Sequence, residues 1–518
     1  MRGSRYSFVN LGVLVACVSA CSGAAPESEP EQAVVRSTSE ALTTQDRLNA
    51  CAQDPRVQAG LVSQQICAGA DIFFRESFNG NGRTCGTCHS AGHNFTIDNA
   101  FVATLPASDP LFVAEQNPDL AALEGPDLRA QGGILENVDG FEDPTHKFVV
   151  RGVPHLFSMA TSITRDPGDG TASPPLQRTG WSGDGAPNTG TLRDFLSGAV
   201  IQHYPKHLAR AAGTDFRLPT DQELDLVLAF QASLGRSNEL DLDQVNLFDA
   251  GANEGRRAFI DPQRGRCNVC HGNAGANFLA TGLNRNFDTG VGRAPIFATT
   301  KDGGFGGKGL AQPNFDTDGD GVLDAFGDGT FNIPPLIEAA DTGPFFHTNS
   351  FPVLEGAIDF YRTALFNSSP AGLTLAQQFG GPIDFPGDDV GNIGRFLRSI
   401  NCAFNLDLAK QRLQAAQTLV NRFHDTRADV QLGLLNLAQA EINDALRVID
   451  DGVVVQPMLP VAQDRIGLAT TEIGAALAAT SFSSRAGHIS TAISRVENAR
   501  DQIGANVTFK LGQGDLMF

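Results

Sequence analysis

The sequence predicts a mainly α-helical protein made of two similar units and a helical extension. Two observations predict the units. The pattern C-x-x-C-H occurs at Cys85–His89 and again at Cys267–His271, and each copy follows apolar residues at helical spacing. The extension is predicted because Gly and Pro become rare towards the C-terminus while leucines recur at helical spacing. We place the units at residues 46–245 and 246–405 and the extension at residues 406–518.

The repeated pentapeptide indicates covalently bound haem. In C-x-x-C-H, two thiols add to the vinyl groups of one haem and the adjacent imidazole reaches its iron. With 10 His in 518 residues, a His seldom follows a C-x-x-C pair by chance. A redox dithiol usually accompanies a βαβ pattern, which we do not find, and a four-cysteine zinc site usually separates its pairs by about 15–20 residues.

We therefore expect two haem c groups in two tandem cytochrome c-type domains. His89 and His271 are the expected proximal ligands of the two irons. The residues that attach the haems are Cys85, Cys88 and His89 in the first domain and Cys267, Cys270 and His271 in the second.

Apolar spacing predicts the helices of both units and of the extension. The helices expected in the units are Ala68–Phe78, Leu192–Ala199, Asp221–Leu234, Gly251–Phe259 and Phe351–Tyr361. In the extension, leucines from Leu406 to Leu446 indicate two helices, and a second pair is expected at about 461–480 and 486–503. Such helices form a hairpin array or bundle.

The N-terminus has the pattern of an export signal. Arg2 and Arg5 precede the apolar stretch Phe8–Val18, which is too short for a comfortable membrane span. Val18–Cys21 resembles a bacterial lipobox, so residues 1–21 are expected to be a lipoprotein signal.

A lipid on Cys21 would be the only membrane anchor, and it would place the chain on the periplasmic side of a bacterial membrane, the outer membrane by our expectation. A plain cleaved signal is the alternative. Residues 22–45, rich in Ser, Ala, Glu and Thr, then form a flexible tether.

Three of the nine cysteines remain after the signal and the haem motifs are set aside. Export permits disulfides, and Cys51 and Cys67 flank a short segment, so we expect them to pair. Cys402 lies among apolar residues and is expected to be a small buried side chain.

The net charge of −20 argues against nucleic-acid binding, which needs a basic face. An acidic surface would attract a small cationic redox protein. The same excess of acid can equally be a device for solubility.

Several strings resemble motifs of one family, over about residues 65–405. In the second unit, Phe331–Leu336 resembles F-x-x-P-x-L-R-N, Asp341–His347 resembles T-x-P-Y-x-H-D-G, and Val353–Tyr361 resembles T-L-E-E-V-V-x-x-Y/M. In the first unit, Arg151–Pro154 resembles R-N-x-P and Trp181–Asp184 resembles W-D-G-R. Together these strings resemble the diheme bacterial cytochrome c peroxidase and MauG superfamily.

The resemblance implies an oxidoreductase that reduces or activates H₂O₂ or O₂ at one haem and transfers electrons through the second. Its partner would be a small cytochrome, a cupredoxin or a protein substrate. Two other hypotheses stay open. One is a non-enzymatic diheme electron-transfer cytochrome with both irons six-coordinate, and the other is a binding or scaffold role of residues 406–518.

Function depends on the sixth position of each iron. The family's peroxidases supply Met at the second haem, but the four Met residues of this chain lie outside the second unit. Tyr361 stands at the matching position, as in MauG-type enzymes, and is the expected axial ligand. The alternative is a buried Tyr packed beside the haem.

The resemblance also implies catalytic residues. Trp181, the only Trp, matches the family's electron relay between the haems. His146 is the expected removable distal ligand of the first haem, with His93, His155, His203 and His207 as competitors. The family's distal Gln and Glu fall near Phe195 and Pro205, which lack that chemistry, and His203 lies close enough in sequence to substitute.

Calcium is expected at two places. Thr342 and Pro344 match two ligand positions of the family's site between the domains, although Gly152 stands where the family has an Asn ligand. The second place is an acidic loop that begins like an EF-hand but has Gly327 at the position of the bidentate Glu. Its expected ligands are Asp316, Asp318 and Asp320.

Overall fold

The computed structural model describes residues 43–123, 125–137, 148–168, 175–183, 190–293, 329–450 and 458–518. These residues are mainly helical, as predicted, and their strands form three two-stranded antiparallel ladders. No helix among them is long and apolar enough to cross a membrane. The predictions for residues 1–42, which include Cys21, and those for His146, Asp316, Asp318 and Asp320 lie outside the described residues.

Ten helices are described before residue 245: α1 (Thr44–Ala52), α2 (Pro55–Gln58), α3 (Gln64–Arg75), α4 (Cys85–Cys88), α5 (Asn99–Thr104), α6 (Val113–Gln116), α7 (Asp127–Gln131), α8 (Met159–Ser162), α9 (Leu192–His203) and α10 (Asp221–Gln231). The later ones are α11 (Ala250–Ile260), α12 (Cys267–Cys270), α13 (Leu354–Phe360), α14 (Ala364–Asn367), α15 (Pro370–Phe379), α16 (Gly387–Phe423), α17 (Ala428–Asp450), α18 (Pro460–Ala478) and α19 (Phe482–Arg500).

The described strands are short. They are β1 (Gly133–Asn137), β2 (Phe148–Gly152), β3 (Asn246–Leu247), β4 (Asn286–Phe287), β5 (Phe331–Asn332) and β6 (Gly504–Ala505). β1 pairs with β2, β4 with β5, and β3 with β6. The last ladder joins residues that are far apart in sequence, so it ties the end of the chain to the segment between the two predicted units.

Helix α3 leads the chain to the first C-x-x-C-H motif. The Ser63 hydroxyl caps its N-terminus by accepting the Ile66 N–H at 3.2 Å, and the apolar side of the helix packs on α10. A disulfide between Cys51 and Cys67 joins α1 to α3 and confirms the predicted pairing. Helix α3, which leads into the first motif, is therefore held by α1 and by α10.

Helix α16 is the longest described element and packs on α11, α17 and α19. Pro386 precedes it, and Asp388 and Asp389 in its first turn interact favourably with the helix dipole. The predicted boundary between residues 405 and 406 lies inside this helix, so the second unit and the extension share one rod. Cys402 is fully buried on α16, as predicted.

The predicted helices of the extension form, and each packs on the next one in sequence: α16 on α17, α17 on α18 and α18 on α19. Alanines and β-branched or leucine side chains that recur at helical spacing along α17, α18 and α19 are fully buried. One apolar core continues from Cys51 to Met517. The described residues from 43 onward accordingly form one compact unit.

A buried cluster of charges links α16, α17 and the last residues of the chain. Arg412 Nη1 donates to Glu441 Oε1 at 2.5 Å, and Arg412 Nε donates to the carbonyl of Asp515 at 3.0 Å. The Asp515 carboxylate accepts the Gly235 N–H at 3.0 Å. Burial raises the pKa of Glu441 to about 7 and that of Asp515 to about 7, although Arg412 acts in the opposite direction.

This cluster predicts a pH-dependent stability. Because both pKa values are raised above those of the unfolded chain, the stabilisation is complete below about pH 4 and is lost as the pH rises through about 7. Glu441→Gln keeps the neutral form, so its melting temperature should fall less between pH 5 and pH 8 than that of the wild type. The expected difference in unfolding free energy is roughly 1–3 kcal/mol.

The control for this measurement is Glu497→Gln, which changes a half-exposed carboxylate on α19 that pairs with Lys410. It should keep the wild-type pH dependence. An identical decline in Glu441→Gln and the wild type would contradict the prediction.

Candidate functional site

The two C-x-x-C-H motifs have the same local structure. Each C-x-x-C forms one helical turn, α4 or α12, and the following His terminates it. The backbone angles are φ −102° and ψ 69° at His89, and φ −101° and ψ 66° at His271. Two motifs that differ in their variable residues therefore present the imidazole in the same way.

Both histidines use Nδ1 for a hydrogen bond to the backbone. Nδ1 of His89 donates to the carbonyl of Phe95 at 2.9 Å, and Nδ1 of His271 donates to the carbonyl of Pro334 at 3.1 Å. Burial lowers the pKa of His89 to about 4 and that of His271 to about 4, so both rings are neutral at neutral pH. A neutral ring with Nδ1 already occupied leaves Nε2 available for a metal.

The motif cysteines are present as thiols. Cys85, Cys88, Cys267 and Cys270 form no disulfide, and burial raises the pKa of Cys85 to about 11 and those of Cys267 and Cys270 to about 12. A redox dithiol needs a stabilised thiolate, which this burial disfavours. The described residues also contain no group of three or more His, Cys, Asp or Glu that could hold a metal ion, so the cysteines do not converge into one zinc site.

A mainly apolar cavity that is partly open to solvent adjoins the second motif. Cys267, Cys270 and His271 lie on its wall, and most of the remaining wall is apolar, with side chains such as Phe385 and Leu397. An apolar cavity beside two thiols and a neutral imidazole fits a flat macrocycle with a metal at its centre.

Tyr361 lies in the same cavity, at the C-terminal end of α13. Its ring packs edge-on against Phe366 at 4.8 Å and Phe360 at 5.5 Å. Burial, followed by the nearby Cys270 and Cys267, raises the pKa of Tyr361 well above its usual value. The sequence prediction thus paired two residues, Tyr361 and His271, that the fold brings to one cavity.

The segment Gly152–His155, which we call the bridging segment, connects the two motifs. Its residues from Val153 to His155 line the second cavity beside Trp181, and Trp181 Nε1 donates to the carbonyl of Gly152 at 2.7 Å. The carbonyl of Pro154 also lies within hydrogen-bonding reach of His89. The bridging segment therefore reaches both predicted haem sites, and Trp181 lies in the second cavity in contact with this segment.

His203 and His155, two of the histidines considered for the distal side of the first haem, lie near the first motif. Burial is the main cause of the lowered pKa of His89, and the nearby His203 and His155 lower it further. Asn81 holds the end of α9, because its side-chain amide donates to the carbonyls of His203 and Pro205 at 3.0 Å each. His203 thus lies near the first motif, and its acid–base role stays a prediction, while His146 lies outside the described residues.

Tyr204 is a contact of the first site that sequence reasoning missed. Its hydroxyl donates to Cys85 Sγ at 3.1 Å, and the side chain is buried. The signal available was its position directly after His203, a few residues beyond the predicted helix Leu192–Ala199. Only the fold shows that this position meets a motif separated by more than a hundred residues.

Sequence reasoning also missed a buried ionic cluster between the motifs. Arg236 Nε donates to Glu338 Oε1 at 2.8 Å, and Arg236 Nη1 donates to Glu239 Oε2 at 2.7 Å. Nδ1 of His155, Nη2 of Arg236 and Oε2 of Glu338 are buried with no hydrogen-bond partner among the described residues. Buried polar atoms are normally hydrogen-bonded, so a polar group of a bound cofactor or a water molecule is the expected partner of these atoms.

The predicted calcium residues Thr342 and Pro344 both line the second cavity. Gly152 stands where the family has an Asn ligand, and a Cβ on Gly152 would lie 1.9 Å from Oδ1 of Asn349. An Asn side chain from another position therefore fills that space. Its amide nitrogen donates to the carbonyl of Gln131 at 2.7 Å. Calcium binding at Thr342 and Pro344 stays a prediction.

No protein-family model matches this chain, and a comparison with curated proteins finds no significant match. The evidence for a function therefore comes from the residues and geometry of the two motifs.

Proposed function

We propose that the protein is an exported diheme c-type cytochrome that reduces or activates H₂O₂ or O₂ at the first site and transfers electrons through the second. The observation that carries the proposal is the paired arrangement of His89 and His271. Both follow a one-turn C-x-x-C helix with nearly equal backbone angles, and both bind a backbone carbonyl through Nδ1. A haem c supplies, when bound, an iron that exchanges electrons and that binds a small oxygen ligand where its sixth position is open.

The residues of the chain support a path between the two sites. Trp181 lies on the wall of the second cavity and binds the bridging segment, which also reaches His89. We assign Trp181 and the bridging segment the role of connecting the sites. The external electron donor would be a small cytochrome or a cupredoxin, or a protein substrate would take its place.

Proton supply is assigned to His203. Reduction of one H₂O₂ to two H₂O consumes two protons, and an enzyme needs a positioned group to deliver them. His203 lies beside His89, whereas the positions of the family's distal acids are occupied by Phe195 and Pro205. Of the two histidines near His89, His203 and His155, we assign the acid–base role to His203 because it lies in sequence between the positions of the family's distal acids.

Tyr361 is assigned to the sixth position of the second site. Burial keeps its phenol protonated, so a phenolate would form only beside a strong positive charge such as ferric iron. Such a ligand favours the oxidised iron, which suits a MauG-like site better than the Met of a peroxidase.

A non-enzymatic electron carrier is the second candidate, and the apolar Phe195 and Pro205 favour it. The disulfide between Cys51 and Cys67 supports export in either case, because such bonds persist in oxidising compartments. The proposal also includes three predicted features: a lipid anchor on Cys21, a periplasmic location at the outer membrane and bound Ca²⁺.

Covalent haem attachment is tested by removing each thiol pair. Cys85→Ser with Cys88→Ser, and separately Cys267→Ser with Cys270→Ser, should each reduce the haem content per chain from two to one, because each pair attaches one macrocycle. The measurement is the pyridine haemochrome assay on purified protein. Cys402→Ala is the control and should keep both haems. Wild-type protein without covalent haem would refute the proposal.

Peroxide chemistry is tested by anaerobic absorption and EPR spectra with and without H₂O₂. The enzyme proposal expects a high-spin, five-coordinate haem and a spectral change on adding peroxide. His203→Gln should lower peroxide turnover on the order of 10²–10⁴-fold. His207→Gln, at an exposed histidine paired with Asp215, should leave turnover near the wild-type value. Two low-spin haems inert to peroxide in both redox states would favour the electron carrier.

The assignment of Tyr361 is tested by Tyr361→Phe. The ring is kept, so packing against Phe366 and Phe360 should persist while the oxygen ligand is lost. We expect the ferric EPR and absorption signals of one haem to change and its reduction potential to rise. Unchanged spectra would show that Tyr361 only packs beside the cavity.

A further inference from the structure

The hydrogen bond of His89 depends on a strained turn. Its acceptor is the carbonyl of Phe95, and both Asn94 and Phe95 have left-handed backbone angles, with φ 54° and φ 56°. Non-glycine residues adopt such angles at a cost in free energy and keep them only when surrounding contacts hold them. The contacts of these two residues therefore decide where the acceptor of His89 lies.

Helix α17 holds the first of the two residues. The Asn94 side-chain amide donates to Asp444 Oδ2 at 3.3 Å and to the carbonyl of Asp341 at 3.2 Å. Asn94 is buried, and Arg447 holds Asp444 in turn through Oδ1 at 3.0 Å. Asp444 belongs to the predicted extension, far from the first motif in sequence.

Residues 504–518, which we call the tail segment, hold the second residue. The ring of Phe518 packs edge-on against that of Phe95, with centroids 5.1 Å apart, and against Phe74 at 5.6 Å. Phe95 is fully buried. Edge-to-face pairs at such distances stabilise beyond the burial of their area, so Phe518 restricts the position of Phe95.

The tail segment is itself fixed along its length. β6 pairs with β3, the Ser237 N–H donates to the carbonyl of Lys510 at 2.9 Å, and the Gly512 N–H donates to the carbonyl of Gly235 at 2.8 Å. Arg412 binds the carbonyl of Asp515, as described above. Phe518 is therefore delivered to Phe95 by a segment that has defined anchors.

The second site is held by different contacts. The residue before Pro334 is fixed by Asn284, whose amide donates to the carbonyl of Ile333 at 2.9 Å. The Leu336 N–H donates to the carbonyl of Ala274 at 3.0 Å. These contacts come from the second unit. Phe95 and Asn94 instead receive contacts from the tail segment and α17, in addition to contacts within the first unit such as that of Phe95 with Phe157 at 5.3 Å.

We propose that Asp444 and Phe518 are positioning residues for the first haem, because they hold the Phe95 carbonyl that binds His89. This inference rests on the proposed function, since it assigns an effect on a bound iron. A hydrogen bond from Nδ1 makes the imidazole a stronger ligand and favours ferric iron. Weakening this bond raises the reduction potential of the first haem and leaves that of the second unchanged.

The test uses the full-length holoprotein and two variants, Phe518→Ala and Asp444→Ala. Redox titration followed by absorption should show an upward shift of the potential of one haem. Resonance Raman spectra of the ferrous protein should show a lower iron–histidine stretching frequency for that haem. The double variant Cys267→Ser with Cys270→Ser keeps only the first haem and so identifies its signals, to which the shifted signals are then compared.

Conservative variants separate positioning from general packing. Phe518→Leu and Asp444→Asn keep an apolar side chain and a hydrogen-bond acceptor, so they should shift the potential less than the alanine variants. Phe509→Ala is the matched control from the tail segment, because Phe509 packs on Phe404 of α16. It should leave both potentials unchanged.

Three outcomes would overturn the inference. One is unchanged potentials and Raman frequencies in folded Phe518→Ala and Asp444→Ala, with folding checked by circular dichroism. Another is an equal shift of both haems, which indicates general loosening. If only one of the alanine variants folds, the inference is judged on that variant and on the conservative substitution at the same residue. Wild-type protein that carries no covalent haem is the third outcome, and it refutes the proposed function at the same time.

Discussion

A backbone carbonyl that accepts Nδ1–H is the contact on which both candidate sites depend. It fixes the tautomer of His89 and His271, and it leaves the opposite nitrogen of each ring for a metal. Substituting the side chain of the residue that carries this carbonyl leaves the carbonyl group itself in place. Its position is set by the segments that pack around it, so the architecture beyond each pentapeptide controls how the pentapeptide presents its histidine.

Helix α16 connects the segments that pack around the two carbonyls. It packs on α11, which leads to the second motif, and on α17 and α19 of the extension. Arg412 on this helix also holds Asp515, and so the segment that ends beside Phe95. The extension is therefore continuous with the predicted haem units in packing, and its removal would expose the buried face of α16. Residues 406–518 can therefore act as a scaffold while being packed into the same core as the predicted haem units.

Local features of the sequence predicted the parts of this structure that depend on short separations. The C-x-x-C-H turns, the pairing of Cys51 with Cys67 and the helical periods of α17 to α19 all belong to this group. Contacts such as Asn94 with Asp444, or Arg236 with Glu338, join residues that are more than a hundred positions apart. No periodicity or spacing rule encodes such pairs, because they arise from how the elements pack. The family resemblance, by contrast, assigned Tyr361 and His271 to the same haem site from the sequence, and both residues line the second cavity.

The distribution of aromatic residues bears on the choice between an enzyme and a carrier. The chain has 35 Phe but only 3 Tyr and 1 Trp. The described Tyr and Trp side chains are Tyr204, Tyr361 and Trp181, and each contacts a C-x-x-C-H motif or its cavity. Phe supplies the other aromatic contacts, both around Phe95 beside the first motif and in the second cavity. A protein that handles strong oxidants benefits from this placement of Tyr and Trp, because oxidising equivalents then find aromatic acceptors near the sites. A simple electron carrier has no need of it, so this pattern favours the oxidoreductase.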